Sequence, residues 1–248
     1  MAVLDDLIDY CDRRLQAADF DDYCPNGLQV EVGGEVTRLA TAVTASLAVI
    51  EQAAAWRADL LLVHHGYFWK NEPAPLVGAK GRRITALVRH GINLAAYHLP
   101  LDVHPELGNN AGLGAALGVS EAAPSGADGL LWQGRLPGLE PEALVARVTE
   151  ALDRRPLWLP GGPQRIDRLA WCTGAAQGYL DKAAALGCDA FISGEVSESS
   201  YHLAAELGIH YLAAGHHATE RFGVRALGAE LADRFGLLHR FFDQPNPV

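Results

Sequence analysis

Apolar positions at Leu4, Leu7, Ile8, Cys11 and Leu15 recur at helical spacing and predict an amphipathic helix over residues 2–17. The period then changes. Short unbroken apolar runs at 39–44, 60–63, 92–97, 169–173, 190–193 and 209–212 predict buried strands, with helices expected at 46–56, 82–90, 179–186 and 197–207. Strands that alternate with helices imply an α/β fold. Shorter strands are expected at 28–32, 130–136, 156–159 and 238–242, and further helices from Asn109 or Asn110 through 117, over 140–152 and over 219–235. Ser46 is a candidate N-cap, Gly91 a C-cap, and Pro141 a first-turn proline. Pro100 and Pro105 are expected to keep 98–106 out of helix, and Pro73 and Pro75 make 68–81 a loop. The small, polar stretch 122–129 is the expected domain boundary, giving lobes 1–126 and 127–248.

The pattern repeats. Residues 53–65 and 183–195 each read as a helix end, an Asp, then a buried strand, so that His65 falls on Glu195. Residues 94–102 and 212–220 each read as a strand followed by His-x-x-x-carboxylate, so that His98 falls on His216 and Asp102 on Glu220. Two halves of one design predict two similar α/β lobes about an internal pseudo-twofold, with equivalent strand ends meeting in a cleft. The alanines alone match too easily to carry this; the paired His-x-x-x-Asp/Glu does carry it.

The strand 60–63 runs directly into His64-His65-Gly66, at the carboxyl end where open α/β sheets present ligands. With the repeat, six candidate ligands emerge: His64, His65, His98, Asp102, His216 and Glu220. Imidazole and carboxylate together suit Zn, Fe, Mn, Co or Ni. No cysteine is close to them in sequence, so a thiolate site is not expected. Six protein ligands exceed the three or so of one catalytic ion, and fit two ions sharing a carboxylate, with Glu220 the expected bridge. Glu195 is either a general base or the residue that orients a ligand histidine, or else a first-turn glutamate at a helix N-terminus. His217 is expected to touch substrate or support His216. His90, His104, His202, His210 and His239 are read as ordinary surface or core residues.

Tyr67, Phe68 and Trp69 either pack the loop down or wall a planar substrate. Gly112-Leu113-Gly114-Ala115-Ala116-Leu117-Gly118 has the wrong spacing for a dinucleotide loop and no strand immediately before it. Lys70, Lys80, Arg82 and Arg83 could hold phosphates, or form a solvated basic face.

The chain has 248 residues, enough for one large domain or two small ones, and a net charge of −10. That charge argues against nucleic acid or an anionic membrane as partner. The four cysteines form no C-x-x-C pair and read as free thiols in a reducing compartment. With an acidic N-terminus and no membrane-length run, the expected location is cytoplasmic.

At Asn26-Gly27-Leu28-Gln29-Val30, His64-His65-Gly66, Tyr97-His98-Leu99-Pro100-Leu101-Asp102, Gly108-Asn109-Asn110, Ser193-Gly194-Glu195 and Gly215-His216-His217-Ala218-Thr219-Glu220, the chain resembles the dinuclear metal centre proteins known as GTP cyclohydrolase 1 type 2 homologues, the interacting-factor-three-like family. The motifs span nearly the whole chain. The resemblance implies two similar lobes, the six residues as ligands of two metal ions, and a ring-shaped homohexamer. It implies the compact form, because 126–168 is too short for an inserted domain. The expected function is a metal-dependent hydrolase that uses a metal-activated water on a small substrate, such as a nucleotide or other heterocycle. The alternatives are a non-catalytic metal-binding protein for storage, delivery or regulation, and a ring threading nucleic acid, which the charge opposes.

Overall fold

The computed structural model describes residues 1–248. It divides into two compact units, Met1–Leu101 with Gly223–Pro245, and Asp102–Phe222 with Asn246–Val248. The chain begins with β1 (Ala2–Val3), α1 (Leu4–Leu15), β2 (Gly27–Val30), β3 (Glu35–Val36), β4 (Arg38–Thr44), α2 (Leu47–Ala55), β5 (Leu60–His65), α3 (Gly78–His90) and β6 (Asn93–Ala96). It continues through α4 (Leu99–Val103), α5 (Asn109–Ala116), β7 (Ser120–Ser125), β8 (Leu131–Leu139), α6 (Pro141–Leu152), β9 (Leu157–Leu159) and β10 (Ile166–Cys172). The last elements are α7 (Leu180–Ala185), β11 (Ala190–Ser193), α8 (Glu198–Leu207), β12 (His210–Ala213), α9 (His216–Thr219), α10 (Arg221–Phe235) and β13 (Leu238–Phe241). The fold class is α/β, as the alternating pattern predicts. No helix is long and apolar enough to cross a membrane.

In the first unit the main sheet orders β13-β4-β5-β6-β2, parallel except for β2 at one edge. Ala40, Ala42, Leu61, Val63, Leu94 and Ala96 pack with Val49, Ile50 and Ala53 of α2 and Leu87 of α3. On the opposite face Thr41 lies against Gly228 of α10, where a Cβ would come within 2.6 Å of its methyl. Cover on both faces is why these strands read as unbroken apolar runs.

The second unit orders β7-β8-β10-β11-β12-β9, with β10, β11 and β12 parallel and β9 antiparallel beside β12. Leu169, Trp171, Ala190, Ile192 and Leu212 pack with α6; Ala170, Phe191, Tyr211 and Ala213 pack with α7 and α8. Gly112 and Gly114 are packing glycines: a Cβ there would meet Phe222 at 2.6 Å and Trp171 at 2.6 Å.

The repeat extends to hydrogen bonds within each unit. Asp59 Oδ2 accepts from the backbone N–H groups of Thr37 and Arg38, both at 2.8 Å. Asp189 Oδ2 accepts from those of Asp167 and Arg168, both at 2.9 Å. The two Asp carbonyls in turn accept from Asn93 and His210, each at 2.9 Å. Each Asp therefore ties the start of one parallel strand to the next. Beyond this point the halves differ by one residue. Tyr97 N–H bonds to the Val63 carbonyl, whereas Ala214 N–H bonds to that of Ser193, so in sheet register His98 matches Gly215 rather than His216. The extra residue is a glycine at φ 101, a conformation that side chains disfavour.

Ser46 caps α2 by accepting from Val49 N at 3.2 Å, Gly91 closes α3 at φ 68, and Pro141 opens α6, all as expected. Other expectations need correction. Residues 99–103 are helical, because Pro100 stands in a first turn, where its missing N–H costs nothing. The helix expected over 219–235 is two, α9 and α10, meeting at Glu220. The expected boundary near 126 falls inside the second unit. There β7 pairs antiparallel with β8, and its position as an edge strand lets it carry Pro124. The first unit also regains the chain after residue 222, because β13 pairs with β4.

Candidate metal centre

His64 and His65 end β5, and His98 follows β6, so neighbouring parallel strands deliver three imidazoles to one sheet end. Their ring centroids lie 4.7 Å (His64–His65), 5.1 Å (His64–His98) and 5.8 Å (His65–His98) apart. Ligand atoms of the three lie within 4.8 Å of one another. Each ring is engaged at Nδ1: His64 by the Tyr97 carbonyl at 2.9 Å, His65 by Thr44 Oγ1 at 3.2 Å, and His98 by Asp22 Oδ1 at 2.7 Å. A carbonyl only accepts, so His64 carries its proton on Nδ1 and its lone pair on Nε2, the tautomer of a metal ligand. Gly66 follows because a Cβ there would sit 2.2 Å from Gln29 Oε1.

Asp22 is a site residue that no sequence motif singles out. It accepts from His98, from Asn26 Nδ2 at 2.9 Å and from Leu99 N at 2.9 Å. Burial raises its pKa, but these bonds outweigh burial and hold it at about 2. The Asn26-Gly27 turn also serves His98, because Asn26 Oδ1 accepts its backbone N–H at 2.8 Å. The turn that brings Asp22 brings Cys24 as well: ligand atoms of Asp22, Cys24 and His98 lie within 4.8 Å. A thiol therefore stands beside a candidate ligand, contrary to expectation. No sequence spacing signals it.

Of the three aromatics after His65, Tyr67 and Phe68 pack inward with the core. Tyr67 OH donates to the Ala45 carbonyl at 2.6 Å. Trp69 turns the other way and stands edge-on to His98 at 5.1 Å, with His65 at 5.9 Å. Phe68, at φ 65, makes that reversal. Lys80 pairs with Glu72 at 3.1 Å and lies over the Phe68 ring, so it ties down the loop.

In the second unit His216 is engaged on both nitrogens, Nδ1 by Glu195 Oε1 at 2.6 Å and Nε2 by Glu220 Oε2 at 3.1 Å. Burial lowers its pKa, but the two carboxylates outweigh it and raise the ring to about 9. Glu195 precedes α8, whose cap is Ser197, so it is not a first-turn residue of that helix. Asp102, buried, accepts from Asn109 Nδ2 at 2.8 Å and Thr173 Oγ1 at 3.3 Å. The next residue, Gly174, leaves room for Glu220: a Cβ there would meet Oε1 at 2.3 Å and His216 Nε2 at 3.4 Å. His217 is buried and its backbone N–H donates to the Val248 carbonyl at 3.2 Å.

The buried Glu220 and the half-buried Glu195 flank the His216 ring, and imidazole with carboxylate is a donor set that suits a divalent cation. Three of the other histidines have structural partners. His104 Nδ1 accepts from Glu106 N and Leu107 N, both at 3.1 Å, His210 Nε2 faces the Pro163 carbonyl at 2.8 Å, and His239 Nε2 faces Thr41 Oγ1 at 2.8 Å.

The chain is 56% identical over 245 residues to a "GTP cyclohydrolase 1 type 2 homolog" of Allochromatium vinosum, covering 98% of this chain and 96% of that one. It is 50% identical over 249 residues to a protein of the same description from Pseudomonas aeruginosa, covering 99% and 98%. A solved structure, the protein ybgI of unknown function, superposes with a TM-score of 0.96 at 44% identity over 100% of both chains. Residues 2–247 match the family Duf34/NIF3 (NGG1p interacting factor 3), and the chain belongs to that family.

Proposed function

We propose that His64, His65, His98, Asp102, His216 and Glu220 serve one dinuclear centre for divalent transition-metal ions, and that the protein is a metal-dependent hydrolase of a small substrate such as a nucleotide or other heterocycle. The carrying observation is the engagement of His64, His65 and His98 at Nδ1 with their ligand atoms within 4.8 Å of one another, an arrangement that leaves Nε2 as the nitrogen to offer an ion. Two such ions would act as Lewis acids and make water a nucleophile near neutral pH. Asp22 and Glu195 hold the Nδ1 protons of His98 and His216, so each acts on the centre through a histidine. Trp69 supplies an apolar wall beside His65 and His98, suited to a planar ring. Glu195, whose side chain keeps 32% of its exposure, is also the base nearest solvent, and His217, next to His216, is the proposed proton carrier toward substrate. The description of the relatives as cyclohydrolase homologues favours a heterocycle. A homohexamer belongs to the same reading, supported by the exposed Leu76, Val77 and Val88, which a second copy could cover.

The test is a hydrolysis screen of nucleotides and related heterocycles with metal-loaded protein. Turnover that His217→Gln abolishes while the variant retains metal supports the hydrolase. Two bound ions with no turnover on any substrate would leave a metal-binding protein and sink the hydrolase.

A further inference from the structure

A cleft of about 940 Å³ opens in the first unit between the end of α1, residues 17–26 and the Phe68–Lys70 loop. Its lining carries Asp12, Asp19, Asp21 and Asp22 against two cations, Arg13 and Lys70, and includes Cys24. Clustered carboxylates in a concave wall raise the local concentration of cations. Asp22 and Cys24 share with His98 a group of ligand atoms within 4.8 Å, built from an oxygen, a sulfur and a nitrogen. His98 belongs to two groups at once: Nδ1 faces Asp22 at 2.7 Å, and the ring packs against His64 and His65.

We propose that Asp22, Cys24 and His98 form an acquisition site, which takes a thiophilic divalent transition-metal ion from the cleft and passes it to the histidine cluster through the imidazole that both groups contain. On binding, the ion displaces the Cys24 thiol proton to solvent, and His98 takes its other tautomer, its one ring proton passing from Nδ1 to Nε2. On transfer, that proton returns to Nδ1 and its bond to Asp22 re-forms as the ion takes Nε2, and the thiol takes a proton back from solvent; no electrons move. Sulfur favours Zn, Co, Fe or Ni over Mg or Ca, which the oxygen-rich cleft alone would not distinguish.

This rests on the metal-centre reading for His64, His65 and His98. The experiment adds Co(II) in steps to chelator-stripped full-length protein and follows the near-ultraviolet sulfur-to-cobalt charge-transfer band, with bound metal counted at the end. In wild type the first equivalent produces the band, which fades as the ion moves to nitrogen and oxygen ligands. Cys24→Ser abolishes the band and weakens first-equivalent binding roughly tenfold or more. Cys188→Ser, altering a buried thiol of the second unit beside Asp189, behaves as wild type. His64→Ala keeps the band without the fading, because the destination is damaged. No band in wild type, or a band that survives in Cys24→Ser, overturns the acquisition site. If His64→Ala ends with as many ions as wild type, the metal-centre reading fails instead, whatever the band does.

Discussion

Asp22 Oδ1 lies 2.7 Å from Nδ1 of His98, across 76 residues of chain. In the second unit Glu195 Oε1 lies 2.6 Å from Nδ1 of His216. A carboxylate behind a ligand histidine fixes the tautomer and raises the basicity of the far nitrogen. Asp22→Asn and Glu195→Gln keep the shapes and remove the charges. Each should weaken metal binding by roughly ten- to a hundredfold, read by competition with a chelator, with the circular dichroism spectrum unchanged. Unaltered affinity would reduce both carboxylates to structural contacts.

Gly174→Ala should lower metal occupancy, because its Cβ would stand 2.3 Å from Glu220 Oε1. The backbone penalty needs separating from that clash. Gly187 shares φ 72 but meets only Arg168 Nη1, at 3.4 Å. Both alanine variants should lose about 1–2 kcal/mol for the left-handed conformation, measured by denaturant unfolding. Only Gly174→Ala should also lose metal.

Asp59→Ala and Asp189→Ala should be twin lesions. Each strips the acceptor from two backbone N–H groups at the start of a parallel strand. Each should cost about 1–3 kcal/mol, with metal content per folded molecule unaltered. Widely different losses would show that the repeated bonds do not do equivalent work.

The paired His-x-x-x-carboxylate pattern was legible because the repeat preserved residue type: His98 and Asp102 have sequence counterparts in His216 and Glu220. The one-residue difference in sheet register was not, because Gly215 absorbs it at a positive φ. The parallel strands were legible because both faces are covered. The return of β13 to β4 was not, since nothing local tells a strand which sheet it will join. Asp22 and Cys24 were invisible as site residues for the same reason: they reach His98 through the fold, and an acidic turn looks like any solvated turn. The 99–103 helix was missed by treating a first-turn proline as a helix breaker.

Burial lowers the pKa of His239, which sits between Thr41 and Gly228. Its folded value therefore lies below its unfolded value of 6.5. The unfolded chain binds the proton first, so stability is full above that unfolded value and falls as pH drops through it toward the folded value. His239→Asn should flatten the loss of stability between about pH 7 and pH 5, seen in denaturant midpoints across that window. A slope as steep as wild type would assign acid sensitivity to other groups.

The most direct measurement is the metal content of protein purified without chelator, wild type beside Glu220→Ala, by elemental analysis. The account predicts about two equivalents of a transition metal in wild type and a clear loss in the variant. Wild-type protein that stays metal-free in metal-replete buffer would contradict it.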